Sequence, residues 1–331
     1  MRTRPDDELL VKAMELTPPP SDPAVVVAVI ASLRRPVELR RLLASLGGLR
    51  APLEAVVVTD NGNDETYREI VESFDGRVTR LLPPANLGCG GGLRLAIDYA
   101  IEKFGDRLTH VWILDDDAVV EPDTLARLVA VGKAVHADVI YPMVVDGAGR
   151  IGWFPGLLRD EPWRVIRQVN TPAEYLELCG SAPVPFSWSP GVCLLVAARA
   201  LRSVGPPRGD YWVRGEDLEF SLRLTAQFPS AFVPTVIVRH LQVPITNPLA
   251  RDVERLRYLA MMQNLGFTGV RLRHGRRMLR TLPGNSYRFF RAHGWTPANL
   301  TGLARALWLG AVRGCPAGNP RGNALQRAAE G

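Results

Sequence analysis

The stretch Val111-Trp112-Ile113-Leu114-Asp115-Asp116-Asp117 decides how this chain folds. Four apolar residues followed by three acids describe a strand buried on both faces, with its carboxylates delivered at the carboxyl end. In open α/β sheets, ligands bind at that end. Adjacent carboxylates repel one another, and a fold tolerates three of them mainly when a cation neutralises them. Side chains alternate along an extended segment, so Asp115 and Asp117 share one side and can both reach a hard divalent ion. The competing reading is a solvated acidic loop that caps a helix starting after Pro122.

Working outward, Val25 to Ile30 is a second apolar, β-branched run. Behind it, Leu39, Leu42, Leu43 and Leu46 recur at helical spacing from Val37 to Leu46, and Gly47-Gly48 stops that helix. Ala55 to Thr59 is a further strand, running into Asp60-Asn61-Gly62-Asn63-Asp64. A helix over Glu65–Phe74, a short strand over Val78–Leu82 and a glycine-rich turn, Asn86 to Gly92, lead to a helix over Leu93–Phe104. The alternation predicts an α/β, doubly wound sheet with right-handed crossovers. Downstream, a helix runs to about His136, followed by a strand over Asp138–Tyr141. From Met143 to Phe186, tryptophans, prolines and glycines predict loops and short strands around a pocket. Val192–Val196 is strand-like, Asp210–Leu224 carries Gly215-Glu216-Asp217 into a helix, and Phe232–Val238 is a strand ending at Arg239-His240. Beyond Pro248 the chain reads as helical and basic.

Several residues can carry chemistry. Asn86-Leu87-Gly88-Cys89-Gly90-Gly91-Gly92 lets backbone approach a phosphate or ribose, or is simply a tight turn. It is neither a Walker loop nor the dinucleotide-binding fingerprint. Asp60 can accept from a base N–H or ribose hydroxyl, whereas Asp64 suits a helix N-cap. Glu216 or Asp217 can serve as a general base, or can pair with Arg214 or Arg223. His240 is either structural or the third member of a two-carboxylate, one-imidazole metal set.

Composition narrows the classes. The 331 residues are 47% hydrophobic and carry a net charge of +6, a globular chain suited to anionic ligands, membranes or nucleic acid. The excess charge gathers between Arg251 and Arg291, away from the carboxylates, which argues against a nucleic-acid surface built with aromatics. A nucleotidyltransferase would place a basic, glycine-rich loop after the first strand, and Ser32 to Pro36 has no glycine. Four scattered cysteines without a CxxC, and an N-terminus without an apolar central stretch, suggest a reducing, cytoplasmic setting.

The order Ser32-Leu33-Arg34-Arg35, Thr59-Asp60-Asn61, Asn86-Leu87-Gly88 with glycines, Leu114-Asp115-Asp116-Asp117 and Gly215-Glu216-Asp217-Leu218-Glu219-Phe220 resembles family 2 glycosyltransferases of the GT-A fold. Within that family it is most similar to bacterial galactofuranosyltransferases and rhamnosyltransferase-like enzymes. The resemblance runs from Val25 to Gln263. It implies a flexible segment over 1–22 and a GT-A catalytic domain over 23–248, split at residue 120 into nucleotide-binding and acceptor halves. A basic helical C-terminal extension over 249–331 follows.

The implied activity is inverting transfer of a galactofuranose- or rhamnose-like sugar from a UDP- or dTDP-sugar to a hydroxyl acceptor. Ser32, Arg34 or Arg35, Asp60, Asn86, Gly88, Gly91 and Asp116 would bind the donor. Asp115, Asp117 and His240 would hold Mg²⁺ or Mn²⁺. Asp217, with Glu216, would supply the base, and Trp188 and Gly191 would meet the acceptor. The chain departs from the galactofuranosyltransferases at Gly215 and Glu216, where Trp and Asp are usual. Arg271, Arg273, Arg276, Arg277 and Arg280, set among Leu272, Met278, Leu279 and Leu282, are either a solvated helix face or a peripheral contact with anionic lipid, which would suit a lipid-linked acceptor.

Overall fold

The computed structural model describes residues 24–74, 76–157, 169–241, 250–271 and 279–313. The segment 1–22 and Arg273, Arg276 and Arg277 lie outside the described residues. The N-terminal part of the sheet is built from β1 (Val26–Ser32), α1 (Pro36–Gly47), β2 (Ala55–Asp60), α2 (Glu65–Glu72), β3 (Val78–Leu81), α3 (Gly88–Phe104) and β4 (His110–Asp115). After β5 (Ala118–Val120), α4 (Thr124–Ala134) leads to β6 (Val139–Val145) and a small hairpin of β7 (Gly156–Leu157) with β8 (Phe186–Trp188). Helix α5 (Pro172–Cys179) lies between the hairpin strands in sequence. Then come β9 (Cys193–Ala197), α6 (Ala198–Val204), α7 (Glu216–Thr225) and β10 (Ser230–His240).

The main sheet has eight strands in the order β3-β2-β1-β4-β9-β6-β10-β5. β1 is parallel to β2 and β4, whereas β9 is antiparallel to both β4 and β6, so the sheet is mixed. Burial explains the sequence pattern. Val27 to Ile30, Val57, Val58 and Val111 to Leu114 have helices or other strands on both faces and are almost fully buried. β10 shifts register between Val233 and Ile237, next to Pro234, which cannot donate to the ladder. Beyond that break β10 pairs with β5, setting His240 opposite Ala118, the residue after the acidic turn.

Two elements differ from the sequence expectation. The strand expected over Asp138–Tyr141 runs on to Val145, because Met143, Val144 and Val145 continue the buried apolar run. The glycine segment is not a free turn before a helix but the first turn of α3 itself. Gly88 has φ of +71°, and a Cβ there would collide with the backbone of Trp212. A Cβ at Gly92 would come within 2.9 Å of Ala31 and Asn61. The glycines therefore let α3 seat against the strand ends on one side and the loop before α7 on the other.

The C-terminal helices α8 (Ala250–Arg271), α9 (Leu282–His293) and α10 (Pro297–Trp308) have their own apolar cluster of Leu259, Met262, Phe289, Phe290, Leu303 and Ala306. α8 touches the loop before α7 through buried polar contacts. Asn264 Nδ2 donates to the carbonyls of Val213 (3.3 Å) and Arg214 (2.8 Å), and Tyr211 shares a 2.9 Å hydrogen bond with Thr268.

Candidate active site

The acidic turn after β4 separates its three carboxylates by direction. Asp116 turns back to β1 and α1, where Ser32 Oγ donates to it at 2.6 Å and Arg35 Nη1 at 2.9 Å. Arg35 also donates through Nη2 to Asp117 at 2.7 Å. Tyr67 braces this corner by accepting from the Arg35 amide and sharing a hydrogen bond with Ser32. Asp115 and Asp117 instead face His240, whose Nε2 lies 3.5 Å and 2.7 Å from their respective carboxylate oxygens. The shared side expected for Asp115 and Asp117 is therefore present. The acidic turn does not cap α4, where Thr124 Oγ accepts from the Glu121 amide and the N-cap residue Asp123 makes no side-chain cap bond.

The residues fit a divalent cation. Ligand atoms of Asp115, Asp117 and His240 all lie within 4.8 Å of one another. The 2.7 Å approach of His240 Nε2 to Asp117 Oδ1 lacks hydrogen-bond alignment, leaving that oxygen buried without a donor. A buried acceptor with nothing to accept is costly, and a shared cation relieves it. Two carboxylates and one imidazole suit Mn²⁺ or Mg²⁺.

On the far side of Asp115 a cavity of about 130 Å³ is lined by Cys89, Trp153, Pro190, Gly191, Glu216 and Asp217, among others. Gly215, at φ +96°, turns the chain into α7 and presents both acids at the helix start. Asp217 accepts from the Gly191 amide at 3.0 Å and the Leu218 amide at 2.8 Å. The arginines that might have neutralised this pair are used elsewhere: Arg223 bonds Glu219 and Arg214 bonds Glu254.

Proton affinities follow these surroundings. Burial pushes Glu216 up to about 8, helped by the Asp217 charge, and burial likewise raises Asp217. Burial raises Asp115 to about 6 and Asp116 to about 7, in the latter case against the pull of Arg35. For Asp117 burial acts upward too, but His240 and Arg35 outweigh it and hold the group at about 2.

Some expected donor contacts take another form. Asp60 is 0% exposed, and its oxygens accept from Arg80, the Gly62 amide and the Asp64 amide. It therefore offers no surface to a nucleotide directly and instead fixes the turn over 60–64. Arg35, not the exposed Arg34, reaches the carboxylates. Gly88 and Gly91 are packed against Trp212 and Leu87, so of this segment Cys89 faces the cavity. Asn86 is half-buried and accepts from the Gly88 amide.

On the acceptor side, Gly191 lines the cavity, but Trp188 covers Gly156 in the hairpin and is not among the lining residues. Trp153 takes that place, its ring edge-on to His240 at 4.3 Å. It lies in the stretch where the sequence pattern blurs, and its identity there was the available signal. Asp64 caps α2 by accepting from Thr66, as expected.

Comparison with known proteins agrees with this geometry. Residues 27–183 match the family "Glycosyl transferase family 2". The galactofuranosyltransferase GlfT1 of Mycobacterium tuberculosis is 32% identical over 205 residues, covering 60% of this chain and 64% of the relative. The GlfT1 of Mycolicibacterium smegmatis is 28% identical over 209 residues, covering 60% and 65%. The matched stretch thus spans a little under two thirds of these relatives. Among solved structures, S. aureus TarS 1–349 aligns with a TM-score of 0.56 at 16% identity, covering 91% of this chain and 83% of TarS 1–349. GalNAc-T7 with UDP, GalNAc and Mn²⁺ aligns at 0.56 with 14% identity, covering 91% and 60%. With an Asp-Asp-His corner at the sheet's carboxyl edge and an acidic pair across the cavity, the chain has the GT-A fold of these glycosyltransferases, and its residues 27–183 are similar to family 2.

Proposed function

We propose that this protein is an inverting glycosyltransferase that moves a furanose-type or related hexose from a pyrimidine nucleotide-sugar to a hydroxyl acceptor. The observation that carries the reading is the placement of Asp217 in a cavity that also contains Asp115. One wall carries Asp115 of the cation-binding corner, and the other carries a carboxylate that pairs with no basic side chain among the described residues.

In this reading Asp115, Asp117 and His240 hold Mn²⁺ or Mg²⁺, which when bound offsets charge on the donor diphosphate. Asp116, expected to contact the donor sugar, instead spends both oxygens on Ser32 and Arg35, and so holds Arg35 in place against Asp117 at the metal corner. The acceptor oxygen attacks the anomeric carbon from the side opposite the diphosphate, the glycosidic bond forms and the sugar–phosphate bond breaks. The acceptor proton passes to the Asp217 carboxylate as the new bond forms. Two backbone amides fix Asp217, so only its orientation toward the cavity is left for catalysis. Cys89, Glu216 and the apolar walls limit water around that carboxylate and raise its proton affinity.

The names of the curated relatives favour galactofuranose as the sugar, and the TarS complexes with UDP and UDP-GlcNAc favour uridine over deoxythymidine. A lipid-linked acceptor fits the basic C-terminal region.

Calorimetry of UDP and dTDP binding with Mn²⁺, repeated with EDTA, tests the donor site. Micromolar binding that needs the metal and prefers one nucleotide is expected. Equal affinity with EDTA would remove the acidic corner from donor binding, and turnover of UDP-galactofuranose against other UDP-sugars then tests the sugar.

A further inference from the structure

Behind the acidic turn, a closed loop of hydrogen bonds runs through Tyr67, Ser32, Asp116 and Arg35, and its proton directions follow from the donors available. Ser32 Oγ donates to Asp116 Oδ2 at 2.6 Å, which uses the only proton of a serine hydroxyl. Tyr67 Oη lies 2.7 Å from the same Ser32 oxygen, so the proton between them belongs to the phenol and Tyr67 is the donor. Tyr67 Oη also accepts from the Arg35 amide at 2.6 Å. Arg35 closes the loop by donating through Nη1 to the other oxygen of Asp116 at 2.9 Å. Tyr67, Ser32 and Asp116 are all buried, so a broken link leaves a polar group without water to replace its partner.

The loop holds Arg35 at both ends, its backbone by Tyr67 and its guanidinium by Asp116. An arginine side chain tied in this way has little rotamer freedom left to lose. Its second terminal nitrogen, Nη2, donates to Asp117 Oδ2 at 2.7 Å. That contact orients Asp117. Oδ2 is engaged by Arg35, and Oδ1 is the oxygen that lies 2.7 Å from His240 Nε2 without a donor. Oδ1 is thereby turned toward the corner that Asp117 shares with Asp115 and His240. The Tyr67 ring belongs to the apolar core, and packing there needs no hydroxyl. The hydroxyl serves the loop.

We propose that Tyr67 is a positioning residue for the cation corner, its hydroxyl fixing through Ser32, Asp116 and Arg35 which oxygen of Asp117 a divalent ion meets. The inference rests on the reading of Asp115, Asp117 and His240 as the ion's ligands. It adds a fully buried residue that can touch neither the ion nor a donor. Groups hydrogen-bonded behind metal ligands set the orientation of those ligands, and changing them weakens metal affinity about 10- to 100-fold. Tyr67 stands several links further back, which places its effect at the low end of that range.

Electron paramagnetic resonance of free Mn²⁺, titrated with the full chain in the presence of UDP and without it, reads the affinity with no turnover involved. Tyr67→Phe keeps the ring and removes the hydroxyl alone, and Mn²⁺ affinity should fall about tenfold. Ser32→Ala opens the same loop one step on and should cost a similar factor. The double variant Y67F/S32A should lose no more than the larger single loss, because one missing link already opens the loop. As a control, Tyr211→Phe removes another buried phenol hydroxyl, bonded to Thr268 on α8, and should leave Mn²⁺ affinity as it is. Affinity of Y67F within about twofold of the parent, or single losses that multiply in the double variant, overturns the proposal and leaves Tyr67 a packing residue. If Y67F is not recovered folded, S32A decides alone, and unchanged Mn²⁺ affinity in it overturns the proposal. A parent chain that takes up no Mn²⁺ even with UDP overturns the cation reading together with this proposal. A parent that binds the ion beside a Y67F variant that binds it equally well overturns the role of Tyr67 only.

Discussion

At one end of the site, behind Asp115, Asp116 and Asp117 face the guanidinium of Arg35, and Asp117 also faces the imidazole of His240. At the other end Glu216 and Asp217 face backbone amides, Cys89 and apolar walls, while nearby arginines serve other partners. Both ends are acidic and both are buried, yet among the described residues only the first supplies positive charge. Asp117 is accordingly held at about 2, whereas Glu216 is pushed up to about 8. The pull is uneven even within the first end, since burial still carries Asp116 up to about 7 against the same guanidinium. A carboxylate kept ionised among cations suits ligand holding, and one with raised proton affinity suits taking a proton from an alcohol.

The widest separation should come from Asp217→Asn. Turnover is expected to fall about 10³-fold, within the range for a lost general base, with UDP affinity within about twofold of the parent. Steady-state kinetics beside calorimetry reads both, and turnover within tenfold of the parent would take the proton-accepting task away from this end.

Asp115→Ala should do the reverse. Metal-dependent donor affinity is expected to drop at least about tenfold, or 1.4 kcal/mol, so that titrations with Mn²⁺ and with EDTA converge. Donor binding that still responds to Mn²⁺ as in the parent would mean that Asp117 and His240 suffice.

Asn264→Ala asks whether the α8 contact holds the proton-accepting end in place. It strips a donor from two carbonyls just before Gly215, at a cost of about 1–2 kcal/mol. Turnover should fall several-fold while donor affinity holds. Chemical denaturation and kinetics together check it, and a stability loss without a change in turnover would make Asn264 purely structural.

The smallest effect concerns Glu216→Gln and pH. With a folded-state value near 8 against an ordinary 4.5, the folded chain keeps a proton that the unfolded chain releases. Stability therefore falls as pH rises from about 4.5 to about 8 on account of this group, and is level outside that window. The variant should melt close to the parent near pH 4 and above it at pH 8. Thermal scans across that range decide the matter. A parallel pair of curves would show that Glu216 is ionised in the fold, and the contrast between the two ends would shrink to Asp217.

Much of the fold was legible because burial on both faces writes long apolar runs. Val26 to Ile30, Val56 to Val58 and Val111 to Leu114 needed no tertiary information to be recognised as central strands. The acidic turn was legible for a similar reason, since three adjacent acids after such a strand have few structural explanations. The ligand pair Asp115 and Asp117 came from simple alternation, and the structure keeps them on one side.

Other features depended on which segments meet in space. Asn86 to Gly92 has the composition of a phosphate-binding turn, and nothing local says that Trp212 and the loop before α7 fill the space beside Gly88 and Gly90. Asp60 sits where a base-binding carboxylate would be expected, and only the fold brings Arg80 across from β3 to occupy it. Trp153 and Trp188 are equivalent in sequence terms, one on each side of α5, until the hairpin turns one onto Gly156 and the other toward His240.

The sequence by itself determined the strands, the acidic turn and the candidates for metal and base, because these follow from the period of burial and the chemistry of single side chains. Tertiary structure decided which arginine neutralises which acid, which tryptophan meets the cavity and which glycines serve packing. Those outcomes depend on long-range contacts such as Arg35 with Asp117 and Asn264 with Arg214. Residues so far apart in the chain carry no mark of each other in any local pattern, and only the closed sheet with its C-terminal helices sets them side by side.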